Sequence, residues 1–225
     1  MPNNKPTELP CVVLAGFDAF GGESLNPSGL AVQALGGQVI AGHRIASLLL
    51  PTVFDAALPR LLAALERSRP VLVIAVGLAQ GRGAIAIERI AINLQDARIP
   101  DNAGTQPYDT AVVPGAPAAY FSSLPVKAVW QALLQAGLPA DISHSAGTFV
   151  CNHVFFGLMH ALANKRKHWL RHTRGGFIHL PALPEQAAVG QFGMPLDEQV
   201  RGLRVAVLAA LQHPQDALLV GGATH

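Results

Sequence analysis

Two periodicities alternate along the chain. Short apolar runs at Cys11–Ala15, Ile45–Leu50, Val71–Val76, Ile142–His144 and Phe177–Leu180 read as buried strands. Between them, apolar residues recur at the spacing of one helical face. Leu58, Leu61, Leu62 and Leu65 form one such stripe, with Asp55 placed to cap its start. Val126, Val129, Trp130 and Leu133 form a second, with Pro125 near the first turn and Gly137 past the end. Phe155, Leu158, Met159 and Leu162 make a third, and Val200, Leu203, Val207 and Leu211 a fourth. Asn26-Pro27 supplies a cap and first residue for one more helix before Gly36-Gly37. No repeat, low-complexity tract or linker divides the sequence, so residues 1–225 read as one domain. Strand and helix alternating throughout predict an α/β fold. The expected form is a single-domain three-layer α/β/α sandwich around a mostly parallel or mixed twisted sheet.

In such sheets, sites form at the carboxyl ends of the strands. The loops after Ala15, Val76, His144 and Leu180 are therefore where chemistry is expected. The turn-rich stretch from Gln95 to Phe121 is long for a compact domain, and long loops tend to be functional. Composition narrows the classes. Half of the 225 residues are apolar and 13% are charged, enough to build a sizeable core and too ordered a pattern for a disordered chain. A formal charge of +2 gives no general argument for nucleic acid or a membrane surface. The opening MPNNKPTELP has no apolar signal region, and the run Val71–Ala79 is about half of what a membrane helix requires. Two cysteines, Cys11 and Cys151, form no CxxC pair, so neither a zinc knuckle nor a disulfide framework is encoded. A soluble cytoplasmic protein is expected.

There is no phosphate loop, no GxSxG elbow and no HExxH; Gly81-Arg82-Gly83 lacks the third glycine of a dinucleotide fingerprint. Cys151 stands out by position. It follows the small-residue turn SHSAGTFV and opens a helix, where free N–H groups and the dipole lower a thiol's pKa and can hold an oxyanion. A small buried apolar residue is the competing reading, and for Cys11, inside an apolar strand, it is the only one. A thiol nucleophile requires a base and a group to orient it. Among nine histidines, His179 is set apart by its place near the end of the strand GFIHLP. His168 and His172 belong to the basic segment KRKHWLRHTR, which reads as a solvated helix end. Glu88 is the odd carboxylate. The alternation Glu88, Ile90, Ile92, Leu94 puts it on the apolar face of a strand, where an ionised group needs a partner. That partner is Arg89 across a turn, a more distant cation, or a catalytic imidazolium; spacing does not choose among them.

Four stretches then carry a specific likeness: GFDAFGGESLNPS at 16–28, AIERIAINLQDARIPDN at 86–102, SHSAGTFVCN at 143–152 and GGFIHLPALPEQ at 175–186. In these, and in their order, the chain resembles the pyroglutamyl-peptidase I family of cysteine peptidases over nearly its full length. The resemblance implies a triad of Glu88, Cys151 and His179. Cys151 attacks the carbonyl that joins an N-terminal pyroglutamate to a peptide, His179 carries the proton, and Glu88 holds the imidazole. It implies a thioester acyl-enzyme and no metal or organic cofactor. Phe17 and Phe20 match aromatic positions that close the family's lactam pocket, and Ile99 and Val150 match other lining positions. Asn26 and Arg98 match positions near the site, Arg98 toward oxyanion charge, although Asn26 is equally explained as a helix cap. Homo-oligomers, tetramers or dimers, are implied as well.

One departure stands out. Where many members read VGQAGGR, this chain reads VGLAQGR, with Leu78 at the glutamine position. A related cysteine amidase with an altered pocket is one alternative, and a non-catalytic binder of pyroglutamyl peptides is another. A nucleic-acid binder built on KRKHWLRHTR is disfavoured, since basic character is confined to that segment.

Overall fold

The computed structural model describes residues 9–164 and 167–222. The strands are β1 (Cys11–Phe17), β2 (Val39–Ile40), β3 (His43–Leu50), β4 (Leu72–Leu78), β5 (Ile85–Glu88), β6 (Ile90–Ile92), β7 (Ala119–Phe121), β8 (Ala140–Ser143) and β9 (Arg174–Leu180). Seven of them form one sheet in the order β2-β3-β1-β4-β9-β5-β8. The central strands β3, β1, β4 and β9 run parallel, β5 lies antiparallel to β9, and β8 is parallel to β5. The mixed sheet matches the expected fold class. Five α-helices flank it among the described residues: α1 (Pro27–Leu35), α2 (Phe54–Ser68), α3 (Val126–Gln135), α4 (Val150–Asn164) and α5 (Leu196–Gln212). Among the described residues, no helix is long and apolar enough to cross a membrane.

Strand alternation splits the core into two layers. Val12, Leu14, Ile74, Val76, Ile178 and Leu180 pack with α1, α3 and α5 residues such as Leu35, Val129 and Leu203. Val13, Ala15, Val73, Ala75 and Phe177 pack on the other face with Leu61 and Leu65 of α2 and with Phe155 and Leu158 of α4. Both layers are almost free of polar side chains, as burial at roughly 25 cal/mol per Å² of apolar surface favours.

The helix ends follow their expected chemistry in part. Asn26 caps α1, its Oδ1 accepting from Ser28 N at 3.1 Å, with Pro27 as first residue. Gly137, just past α3, takes φ +73° as its place beyond the helix end requires. Helix α2 differs. Its cap position is Val53, and Asp55 sits inside the first turn. The capping carboxylate comes instead from the long 95–121 loop: Asp101 Oδ2 accepts from Phe54 N at 2.9 Å. Its other oxygen accepts from Ala103 N and Thr105 N, so one buried aspartate both caps the helix and closes its own loop. In the basic segment, a 3-10 turn at His168–His172 replaces a helix end, and Lys165 and Arg166 lie outside the described residues.

The strand reading of Glu88 requires correction. Glu88 ends β5 in the main sheet, but after Arg89 the chain leaves that sheet, and β6 pairs only with β7 in a separate two-stranded ribbon. Period-two alternation continues across the break because both pieces are extended.

Candidate active site

Pairing register places the candidate residues. Gly77 of β4 lies beside His179 of β9, and Ala86 of β5 lies beside His179 from the other side. Glu88 is two residues further along β5, opposite Phe177, so Glu88 and His179 are diagonal neighbours on one face. That separation lies within reach of two long side chains. His179 Nδ1 lies 2.7 Å from Glu88 Oε1. A carboxylate can only accept, so the ring proton sits on Nδ1 and leaves Nε2 as the free basic nitrogen.

Cys151 approaches from the helix layer, at the second residue of α4. Its Sγ lies 2.9 Å from the point where a Cβ on Gly77 would stand; His179 Cδ2 and Phe177 Cε1 lie 3.0 Å from it. The sulfur and the Cδ2 of the ring, the carbon bonded to Nε2, thus border the same point over a glycine that cannot be replaced without displacing them. The structure brings Glu88, Cys151 and His179 together.

Three tethers hold the start of α4 at this spot. Asn152, fully buried, donates to Ile92 O at 2.8 Å and Leu94 O at 3.0 Å and accepts from Ile92 N at 3.1 Å. Thr148 Oγ1 donates to Asp96 O at 2.7 Å. Arg82 Nη2 donates to Ser145 O at 2.9 Å, while its Nη1 lies 2.9 Å from Glu88 Oε1. Of the partners left open for Glu88, it therefore has two at once, a distant cation and the imidazole, and Arg89 is neither. Both Asn152 and Arg82 went unassigned from sequence, although Asn152 lies inside the string SHSAGTFVCN and Arg82 inside VGLAQGR.

Electrostatics correct one expectation. The helix end was expected to lower the Cys151 pKa, yet burial pushes the thiol up to about 12, the Glu88 charge adding to the rise and Arg82 opposing it. That rise opposes a standing thiolate, so a base has to take the thiol proton as attack occurs. Cys151 keeps some solvent exposure, whereas Cys11 is buried, and the Cys11 thiol is raised mainly by burial.

The other expected site residues are more scattered. Phe20 is half-buried, its ring 6.0 Å from Phe149, two residues before Cys151. Phe17 is only 1% exposed, 6.3 Å from the Phe177 ring, which in turn packs 4.8 Å from His179. Val150 is fully buried, as the first residue of α4. Arg98 and Ile99 are exposed on the long loop, which docks onto the Phe20 loop through Asn102 Nδ2 and Ala19 O at 2.8 Å. Asn26 is buried with its polar atoms engaged, Nδ2 donating to Asp18 O at 2.9 Å and Oδ1 accepting from Ser28 Oγ at 2.9 Å. Leu78 pairs in register with Leu180, on the face opposite Gly77 and His179. Among the described residues, no group of three or more His, Cys, Asp or Glu is placed to hold a metal ion.

The family profile described as pyroglutamyl peptidase matches residues 11–213. The chain belongs to the pyroglutamyl peptidase family. It is 54% identical to pyrrolidone-carboxylate peptidase 1 of Ralstonia nicotianae over 96% of its own length and all of that protein. Among solved structures it resembles the pyroglutamyl peptidase I of Bacillus amyloliquefaciens, with a TM-score of 0.89 and 43% identity over 94% of this chain and all of the other. The pyrrolidone carboxyl peptidase of Thermococcus litoralis superposes with a TM-score of 0.88 at 34% identity, covering 94% and 99% of the two chains. Family membership makes this chain a peptidase, and hence a hydrolase.

Proposed function

We propose that this enzyme removes N-terminal pyroglutamate from peptides and proteins, with Cys151 as nucleophile, His179 as base and acid, and Glu88 as the group that orients His179. The observation that carries the reading is the Glu88–His179 bond of 2.7 Å on the sheet face that meets Cys151 over Gly77. His179 Nε2 takes the Cys151 proton as sulfur attacks the pyroglutamyl carbonyl. The tetrahedral oxyanion is held by N–H groups at the start of α4. His179 then gives its proton to the leaving amine, and a thioester remains. Water adds to the thioester, losing its proton to His179, and release of pyroglutamate restores the thiol. Throughout, Glu88 keeps Nδ1 protonated and balances the imidazolium.

The flat, uncharged lactam is gripped by apolar groups: Phe20, Phe149 and Ile99 at the mouth, with the buried Val150 beneath them and Phe17 supporting Phe177 behind His179. Arg98 is an exposed cation at the rim, and Asn26 acts by holding the Asp18–Phe20 turn in place. Such a pocket rejects proline, which leaves the groups that bond the lactam carbonyl unpaired. The exposed side chains Tyr108, Phe121, Val189 and Val220 support a homo-oligomer, a dimer or tetramer, checked by light scattering on a sizing column. Two free cysteines suit the cytoplasm.

The test is release of a fluorescent amine from pyroglutamyl-coumarin amide beside prolyl-coumarin amide, with Cys151→Ala as control. Cleavage of the first substrate alone, abolished in the variant, is expected. Cleavage that survives Cys151→Ala removes the mechanism; equal cleavage of both substrates removes the lactam pocket.

A further inference from the structure

Glu88 is wholly buried and both bonds to it fall on Oε1; Oε2 has no partner among the described residues. The charged and titratable groups facing this carboxylate are Arg82, His179 and, across the site, Cys151. Of the two groups bonded to it, only Arg82 is positive at every stage, because the imidazole must be neutral to accept the thiol proton. A buried carboxylate whose only other partner were a neutral ring would be left without a counter-charge. It would then hold the ring as imidazolium, and an imidazolium accepts no proton. Arg82 also reaches the nucleophile's side of the site, since its second nitrogen donates to Ser145 O in the loop that leads into α4.

We propose that Arg82 is a positioning residue of the reaction, fixing the Glu88 carboxylate against His179 and tying it through Ser145 to the loop that delivers Cys151. This inference rests on the roles given above to Glu88, His179 and Cys151. Arg82 touches no reacting atom in this scheme and acts through Glu88.

The geometry makes the effect separable from folding. The Arg82 side chain is 34% exposed and projects from a turn, so its truncation leaves both apolar layers intact. Arg82→Met is expected to lower kcat by roughly ten- to a hundredfold, the scale of a misplaced catalytic group, with KM changed by no more than about threefold. Loss of a positive charge makes neighbouring groups hold protons harder, so the acidic limb of the kcat/KM profile moves to higher pH. Arg82→Lys keeps the charge but not the fork, and recovers part of the rate. In a Glu88→Gln background, Arg82→Met adds little further loss, because the residue acts through that carboxylate.

A kcat within twofold of wild type, an unmoved limb, or losses that multiply in the Glu88→Gln background would each overturn the proposal. If Arg82→Met melts early, Arg82→Lys against wild type carries the same comparison at smaller amplitude. If wild type cleaves no pyroglutamyl substrate, the reaction assignment fails separately. Arg82 is then judged by the nitrogen NMR shifts of the His179 ring, which need no substrate. They titrate at higher pH in Arg82→Met if the inference holds and at an unchanged pH if it does not.

Discussion

Toward α1, α3 and α5 the central strands present Val12, Leu14, Ile74, Val76, Ile178 and Leu180, without one polar group. Toward α2 and α4 the same strands present Val13, Ala15, Ala75 and Phe177, and then, where β4 and β9 end, Gly77 and His179. The two faces are built by one alternation and filled by similar helices. They part only over the last residues of the strands, where the second face gives up side-chain volume at Gly77 and accepts a buried Glu88–His179 pair. The far face is a stability device; the near face spends some of its packing on chemistry. Substitutions matched across the sheet therefore separate rate from stability.

The largest contrast comes from removing the nucleophile or base. Cys151→Ala and His179→Ala are each expected to cut kcat/KM by about ten-thousandfold or more, as in other nucleophile–base units. The melting temperature stays within a few degrees, because neither change opens a large apolar cavity. Activity within tenfold of wild type in either variant, measured with the coumarin substrate, would contradict the assignment. The converse on the far face is Leu203→Ala. It removes a fully buried side chain and should cost about 2–5 kcal/mol in urea unfolding while kcat below the transition is unchanged.

A pair of glycines sharpens the comparison. A Cβ at Gly77 meets Cys151 Sγ, His179 Cδ2 and Phe177 Cε1, whereas a Cβ at Gly202 of α5 meets apolar methyls alone, Ile85 Cδ1 at 2.4 Å and those of Leu138 and Leu133 at 3.5 and 3.7 Å. Both alanine variants are overpacked and should lose about 1–3 kcal/mol. Gly77→Ala alone should also lose roughly a hundredfold in kcat, because it displaces reacting atoms. Equal kcat in the two variants would mean that Gly77 is a packing residue only. Smaller still is Asn26→Ala, which uncaps α1 for about 1 kcal/mol. A change in KM beyond threefold in that variant would give Asn26 a substrate contact in addition to its cap.

Much of this contrast was legible in the sequence, because period-two and helical apolar spacing are local. The five strands read from that spacing are present within two or three residues of their observed ends, and Asn26 caps α1 as its neighbours suggest. What escaped depends on partners distant in the chain. The cap of α2 arrives from Asp101, 47 positions away, so Asp55 looked like the cap only because it was near. Arg82 and Ser145, 63 positions apart, meet only once the sheet is assembled. The Cys151 pKa failed for the same reason, since a helix start is visible locally and the burial that outweighs it is not. Glu88 was rightly singled out as a carboxylate on an apolar face, but its strand ends at Glu88 itself, while the alternation runs on into β6 of the separate ribbon.

The smallest expected effect lies two residues from the nucleophile. His153 packs edge-on against Phe54 at 5.6 Å, with Nδ1 2.6 Å from Gln95 Oε1. Burial holds its pKa below the ordinary 6.5, with Asp55 partly opposing that shift. Between the folded value and 6.5 the unfolded chain binds more protons, so stability rises with pH in that window. The contribution is present above pH 6.5 and is lost as pH falls through the folded value. Wild type should therefore lose more urea resistance between pH 7.5 and pH 5 than His153→Gln, in which this titration is absent. The difference between the two proteins isolates His153 from carboxylates that titrate in both. An identical loss in the two would mean that the ring can be protonated in place, and the near face would then tolerate a second charge beside its catalytic one.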